Sequence, residues 1–558
     1  MDGHDELIGL ADRYWDSVLE AYPSQATLLG DRRFDDRIED LSEAAEQALL
    51  RTWQGLLTEL DALDQTRLSA QDRVTSGLLR AELATGVDQL GWRPVELASD
   101  QMDGIHAGLL LIAGQTNAPE PANALALLER YRKFGGMLDQ AVQRFRAGLA
   151  AGRTPARVTI ERSLNMLDKY LGSDPAADPF ATFAGPPDWD GEGAWRAELA
   201  EVVREVIRPA FRRYRDALAD DLLPAARPDD KPGLCWLGAD GEDIYRRQLR
   251  RHTTLADLGA EEIHEIGLAE IAALREEYAT VGARLFGTED LGEIFTRLLE
   301  DPALRYRTGD EIMAVARDAL ELANAEMGNW FGRLPKESCD IVAIPEFMAA
   351  DSPPAYYLPP AADGSRPGTY FVNLNEPATQ HRHTTVGIAY HEAIPGHHLQ
   401  LAIANELDHL PRFQRQSFAN TAFVEGWALY TERLADEMGL YHNDVDRLGM
   451  LAADSLRSCR LVVDTGLHAK GWTRQQGIDF MVANAPIGLT EITIEVDRYL
   501  AMPGQAVSYK VGSLEIRRQR MQAHARLGAG FDIKAFHDVV LGSGSVSLPV
   551  LRELIATL

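Results

Sequence analysis

His391 and Glu392 stand side by side, with His397 and His398 just beyond them, in the run His-Glu-Ala-Ile-Pro-Gly-His-His-Leu-Gln at residues 391–400. Imidazole nitrogens bind Zn2+, and a neighbouring carboxylate can take a proton from water that the ion activates. The usual form of such a site is His-Glu-x-x-His, with both histidines on one helix face. Here Pro395 occupies the position of the second histidine. On a regular helix His391 and His397 would differ by about 240° in phase, and His391 and His398 by about 10 Å along the axis. Zinc–nitrogen bonds of about 2.0–2.1 Å bridge neither separation.

The chemistry therefore requires a broken helix. Pro395 has no N–H to offer the His391 carbonyl, and its ring clashes with that carbonyl. Gly396 reaches backbone conformations closed to other residues. Looping out two residues brings His397 to the place of the second ligand; looping out three brings His398. The smaller distortion favours His397, with His398 as the alternative.

A hydrolytic zinc site has three protein ligands and one open position. Glu425 is the expected third ligand. It lies in the apolar and aromatic run Phe423-Val424-Glu425-Gly426-Trp427-Ala428-Leu429-Tyr430, where a carboxylate with nothing to bind would be costly. Glu432, two turns on and on the same face, could ligate instead or orient a histidine. Glu392 is the expected general base, and one Zn2+ the expected cofactor. Two histidines and a carboxylate also suit non-haem iron, but a Glu directly after the first histidine points to water activation.

Other residues could serve the same reaction. An oxyanion needs a donor besides the metal, and His468 and Tyr509 are candidates, each also readable as a packed core residue. Arg457 and Arg498 could bind a substrate carboxylate bidentately, although structural ion pairs would explain them as well. If an extended substrate adds to an open edge of the strand at 369–374, Tyr356, Tyr357 and Asn373 would lie near it, although ordinary sheet residues before a turn would explain them as well.

The elements that must position these residues are mostly helical. Apolar residues recur at three- and four-residue spacing near 4–22, 43–64, 69–90, 121–150, 193–220, 258–280 and 311–330, with Thr308 or Asp310 capping the last. The pattern continues near 416–438, 446–465, 473–483, 490–500, 506–526 and 533–540. Strand signals are confined to 340–344, 355–358 and 369–374, so a small sheet is expected beside the histidines. Loops are expected at 173–192, 224–241, 349–369 and 542–549. The expected fold is mainly α: a large two-lobed helical body, an N-terminal lobe at 1–230 and a catalytic lobe at 231–558, built as one continuous unit.

Composition narrows the partners. The 558 residues include 56 basic and 85 acidic side chains, a net charge of −29. That argues against nucleic acid or an anionic membrane as partner. The three cysteines, Cys235, Cys339 and Cys459, form no Cys-x-x-Cys pair, as expected in a reducing compartment. No run of about 18 apolar residues suggests a membrane span. The acidic N-terminus lacks the basic and apolar regions of a signal peptide. A cytoplasmic location is expected.

These motifs resemble the bacterial family called domain of unknown function 885. The resemblance extends from residues 391–400 to Glu425-Gly426-Trp427-Ala428-Leu429-Tyr430, to Arg460-Leu461-Val462-Val463-Asp464-Thr465-Gly466-Leu467-His468 with Gly471-Trp472, and to Arg498-Tyr499, Pro503-Gly504-Gln505-Ala506 and Ser508-Tyr509-Lys510. Pro23-Ser24, Leu29-Gly30 and Gly364-Ser365-Arg366-Pro367-Gly368 also fit. The resemblance implies kinship with zincin-type metallopeptidases of the Glu-zincin class, and with it a mostly helical body with a deep cleft. The expected activity is zinc-dependent cleavage of short peptides. The alternatives are an amide hydrolase acting on a non-peptide small molecule and a non-catalytic binding protein that keeps the fold.

Overall fold

The computed structural model describes residues 3–345, 349, 352–360, 366–417 and 419–558. The chain is mainly α-helical, with one small sheet. By internal contacts it separates into two compact units: residues 1–244 with 471–474 and 500–502, and residues 245–470 with 475–499 and 503–558. Residues 231–244 thus belong to the first unit.

Most expected helices form close to their expected positions. Thr308 is the cap of the helix Gly309–Trp330, its side chain accepting from Glu311 N–H. The expected helix at 121–150 is two, Pro121–Arg132 and Phe134–Ala150. Gly135-Gly136 weakens the helix at this junction. Packing then decides the matter, because Phe134 sits edge-on against Tyr131 and Phe180 in the first unit's core.

The second unit carries the sheet and the histidines. Strands β1 (Cys339–Ala343), β2 (Ala355–Leu358) and β3 (Gly368–Val372) lie in the order β1-β3-β2, with β1 parallel and β2 antiparallel to β3. Six helices frame the site: α1 (Arg382–Glu392), α2 (His397–Asn405), α3 (Thr421–Glu437), α4 (Asp444–His468), α5 (Leu489–Ala501) and α6 (Ser508–Leu527).

Helices α3 and α6 touch backbone to backbone. A Cβ on Gly512 would lie 1.7 Å from the Ala422 carbonyl oxygen, and one on Gly426 2.5 Å from Gly512 Cα. Only glycine at both positions permits this approach. It fixes the first turn of α3, where Glu425 sits, against the start of α6, where Tyr509 sits.

Candidate metal centre

Helix α1 ends at Glu392, and Ala393 leaves helical geometry at φ −101°, ψ −104°. The chain then turns through Ile394, Pro395 and Gly396, with a cis peptide before Pro395. It resumes as α2 at His397. Of the bulge or break that Pro395 and Gly396 suggested, the structure shows the break: two helices joined by a tight turn. A Cβ on Gly396 would lie 1.9 Å from the His391 carbonyl oxygen, so the turn closes only with glycine. Trp427 holds it from α3, its Nε1–H donating to the Pro395 carbonyl at 3.0 Å.

This turn faces His397 toward His391. Their rings are 4.8 Å apart at 86°. Glu425 Oε2 lies 3.4 Å from His397 Nε2 and 3.7 Å from His391 Nε2. Among the described residues these three alone form a cluster able to hold a metal ion. Four ligands about 2.0 Å from a tetrahedral zinc are separated by about 3.3 Å, so two imidazoles and a carboxylate at these distances fit Zn2+.

Glu432 takes the orienting role rather than that of a ligand. Its Oε1 is 2.8 Å from His391 Nδ1, and the side chain is buried. A proton on Nδ1 directs the Nε2 lone pair at the cluster, the carboxylate–histidine pairing common beside bound metals. The guanidinium of Arg457 approaches the same Glu432 oxygen at 3.8 Å.

The cluster is electrostatically tense. Burial alone would lower His391, but hydrogen bonds to Glu425 and Glu432 raise it to about 9. Burial would raise Glu425, yet His391 and His397 hold it well below the usual carboxylate range. Burial pushes Glu392 upward, and the two histidines oppose the shift. The negative charge that favours an imidazolium here equally favours a bound cation.

The remaining candidates divide. His398 faces away: its Nδ1 is 2.9 Å from Tyr357 Oη and its Nε2 3.1 Å from the Glu337 carbonyl. Both ring nitrogens are occupied, which removes it as the second ligand. His468 is a correction. It is buried at the end of α4, with Nε2 2.9 Å from the Tyr499 carbonyl and its ring against Tyr245. That bond engages the nitrogen it would offer an oxyanion, so the bland reading of a satisfied core histidine holds. Asn373 is another correction, since its amide donates to the carbonyls of Ala349, Ser352 and Pro353 and braces the chain there.

The sheet-edge expectation also changes. Strand β3 is the central strand, paired on both sides, so no extended ligand can add to it. Tyr356 stacks on Phe371 at 4.8 Å, and Tyr357 is held by His398. The stretch Gly364-Ser365 lies outside the described residues.

Tyr509, Arg457 and Arg498 do come together. Arg498 donates to Tyr509 Oη at 3.2 Å, and the Arg457 and Arg498 guanidinium carbons each lie 5.9 Å from the ring centre. Sequence reasoning missed Arg460, which lies closer still, at 4.5 Å. The signal was available: Arg457 and Arg460 sit three residues apart on α4, so they share a face.

A mainly helical fold, with a half-buried cluster of two histidines flanking a helix break and one glutamate from a neighbouring helix, is thus the class that fold and site define. The chain belongs to the family described as bacterial protein of unknown function (DUF885), which it matches over residues 23–555. It is similar in structure to a putative lipoprotein from Colwellia psychrerythraea, with a TM-score of 0.91 and 25% identity over 100% of this chain and 99% of that one. It also resembles a putative lipoprotein of unknown function from Shewanella oneidensis, with a TM-score of 0.77 and 20% identity over 98% of this chain and 99% of that one. The second likeness is one of fold. No curated protein matches the chain.

Proposed function

We propose that this chain is a zinc-dependent hydrolase that cleaves amide bonds in short peptides. The observation that carries the reading is the convergence of His391, His397 and Glu425 with Glu392 next to the first of them in sequence. These three residues would hold the ion. When bound, zinc supplies Lewis acidity toward water and the scissile carbonyl. Glu392 would accept the proton of the attacking water and return it to the departing amine nitrogen. Glu432 would hold the His391 ring through Nδ1 so that Nε2 stays on the ion. Trp427 and Gly396 keep His397 in place, a positioning role.

The test is Glu392→Gln. The variant is expected to bind zinc at wild-type stoichiometry and to lose turnover of short peptides by about a thousandfold. Full turnover in the variant would defeat the reading. A panel of peptides and non-peptide amides separates a peptidase from an amidase on other small molecules. Metal analysis of protein purified without added zinc separates both from a non-catalytic binder. A cytoplasmic location is part of the proposal, its support being three widely spaced cysteines with no Cys-x-x-Cys pair; cell fractionation checks it.

A further inference from the structure

We propose that Arg457, Arg460 and Arg498 form a subsite for a carboxylate carried by the substrate, so that the enzyme acts on amides ending in a free carboxylate, as a peptide C-terminus does. This rests on the hydrolase reading above and adds to it the class of substrate.

The three arginines surround Tyr509 on α4 and α5. Their acidic partners are few. Glu495 accepts from Arg460 Nε at 3.0 Å and Nη2 at 2.7 Å, and from Tyr499 Oη at 2.9 Å; Arg498 Nη1 lies 3.2 Å from its other oxygen. Glu495 is thereby saturated. Glu491 lies within electrostatic reach of Arg457 and Arg460, but it is exposed and makes no hydrogen bond to either. Glu432 is engaged with His391 through Oε1, and its Oε2 is buried with no hydrogen-bond partner among the described residues. Arg457 makes one main-chain bond, to Ala453 at 3.3 Å, besides its long approach to Glu432.

What remains is an excess of donors over acceptors. Arg457 Nε, Arg460 Nη1 and Arg498 Nε are buried with no hydrogen-bond partner among the described residues, and the Arg460 residue is only 4% exposed. Buried guanidinium groups left open in this way are costly. A ligand carboxylate relieves the cost, because it brings two oxygens and one negative charge to forked donors. The subsite also lies close to the reaction. Arg457 Nη2 and His391 Nδ1 face the same oxygen of Glu432, so the arginines adjoin the metal cluster through that one carboxylate.

The experiment uses the full chain carrying Glu392→Gln and loaded with zinc. N-acetyl-trialanine and its C-terminal carboxamide are titrated by calorimetry at up to millimolar concentration. The acid is expected to bind roughly 10- to 100-fold more tightly than the amide. Arg457→Gln in the same background is expected to narrow the ratio to about threefold or less, and Arg457→Lys to restore part of it. A ratio near one, or no binding of the acid, overturns the subsite. The acid/amide comparison in the parent protein stands even if an arginine variant fails to fold. Repeating the titration after chelation separates the two readings. Acid preference with no zinc bound at any stage keeps the subsite and removes the hydrolase. In the wild-type chain, which keeps Glu392, zinc-dependent turnover of acid and amide at equal rates does the reverse.

Discussion

Glu432 provides the sharpest test of the metal centre, because it touches the site only through His391. The perturbation is Glu432→Gln beside Glu432→Ala. Gln can still accept the Nδ1 proton at the 2.8 Å position but brings no charge. A hydrogen bond to a charged group contributes about 1.5–3 kcal/mol, and a neutral one about 0.5–1.5 kcal/mol. The difference, roughly 1–1.5 kcal/mol, corresponds to about a tenfold loss of zinc affinity for Gln. Ala removes the bond entirely and leaves the imidazole free to turn, so the loss should approach about 100-fold. The assay is competition for zinc against a chromophoric chelator, run with thermal unfolding of the metal-free proteins. If Glu432 were merely the ion-pair partner of a protonated His391, both variants would lower the melting temperature of the metal-free protein and leave zinc affinity unchanged. Zinc affinity of Glu432→Ala within about twofold of wild type would refute the reasoning.

Two further predictions follow from neighbouring geometry. His397→Gln should abolish stoichiometric zinc binding, whereas His398→Gln should retain it and lose only the contacts to Tyr357 and Glu337; metal analysis after gel filtration tells them apart. Asp464 is fully buried, and burial raises its carboxyl to about 7 despite hydrogen bonds from Tyr245 and the Gly504 N–H. Its pKa is therefore higher folded than unfolded, so its contribution to stability falls as pH rises from about 4 through about 7. Asp464→Asn should remove that dependence and gain on wild type by on the order of 2 kcal/mol between pH 5 and 8; denaturant midpoints at the two pH values measure it, and parallel curves would count against it.

The parts of this molecule that were readable in the sequence are those with local causes. Thr308 caps a helix because its hydroxyl reaches an N–H three residues on. Residues 355–358 form a strand because β-prone side chains lie between turn formers. The chemistry of residues 391–397 was readable for the same reason, since Pro395 and Gly396 forbid a continuous helix whatever surrounds them. Residues whose roles depend on distant partners were not readable. Nothing near His468 in sequence announces that the Tyr499 carbonyl will take its Nε2. Nothing near Asn373 shows its amide reaching back to the carbonyls of Ala349 and Pro353. The position of β3 at the centre of the sheet follows from a parallel pairing with β1 across a long connection, which no local pattern encodes.

The same distinction explains how this site can tolerate its departure from the usual spacing. In an unbroken helix the i and i+4 positions are held by the helix itself. Here His391 ends one helix and His397 begins another, so that support is lost and must come from elsewhere. It comes from α3, which supplies Glu425 to both rings, Glu432 behind His391, and Trp427 to the Pro395 carbonyl. One helix thus registers the other two, and it is itself registered by the glycine contact with α6. The motif at residues 391–400 and the motif at 425–432 are therefore parts of a single device, and neither sets the geometry of the cluster without the other.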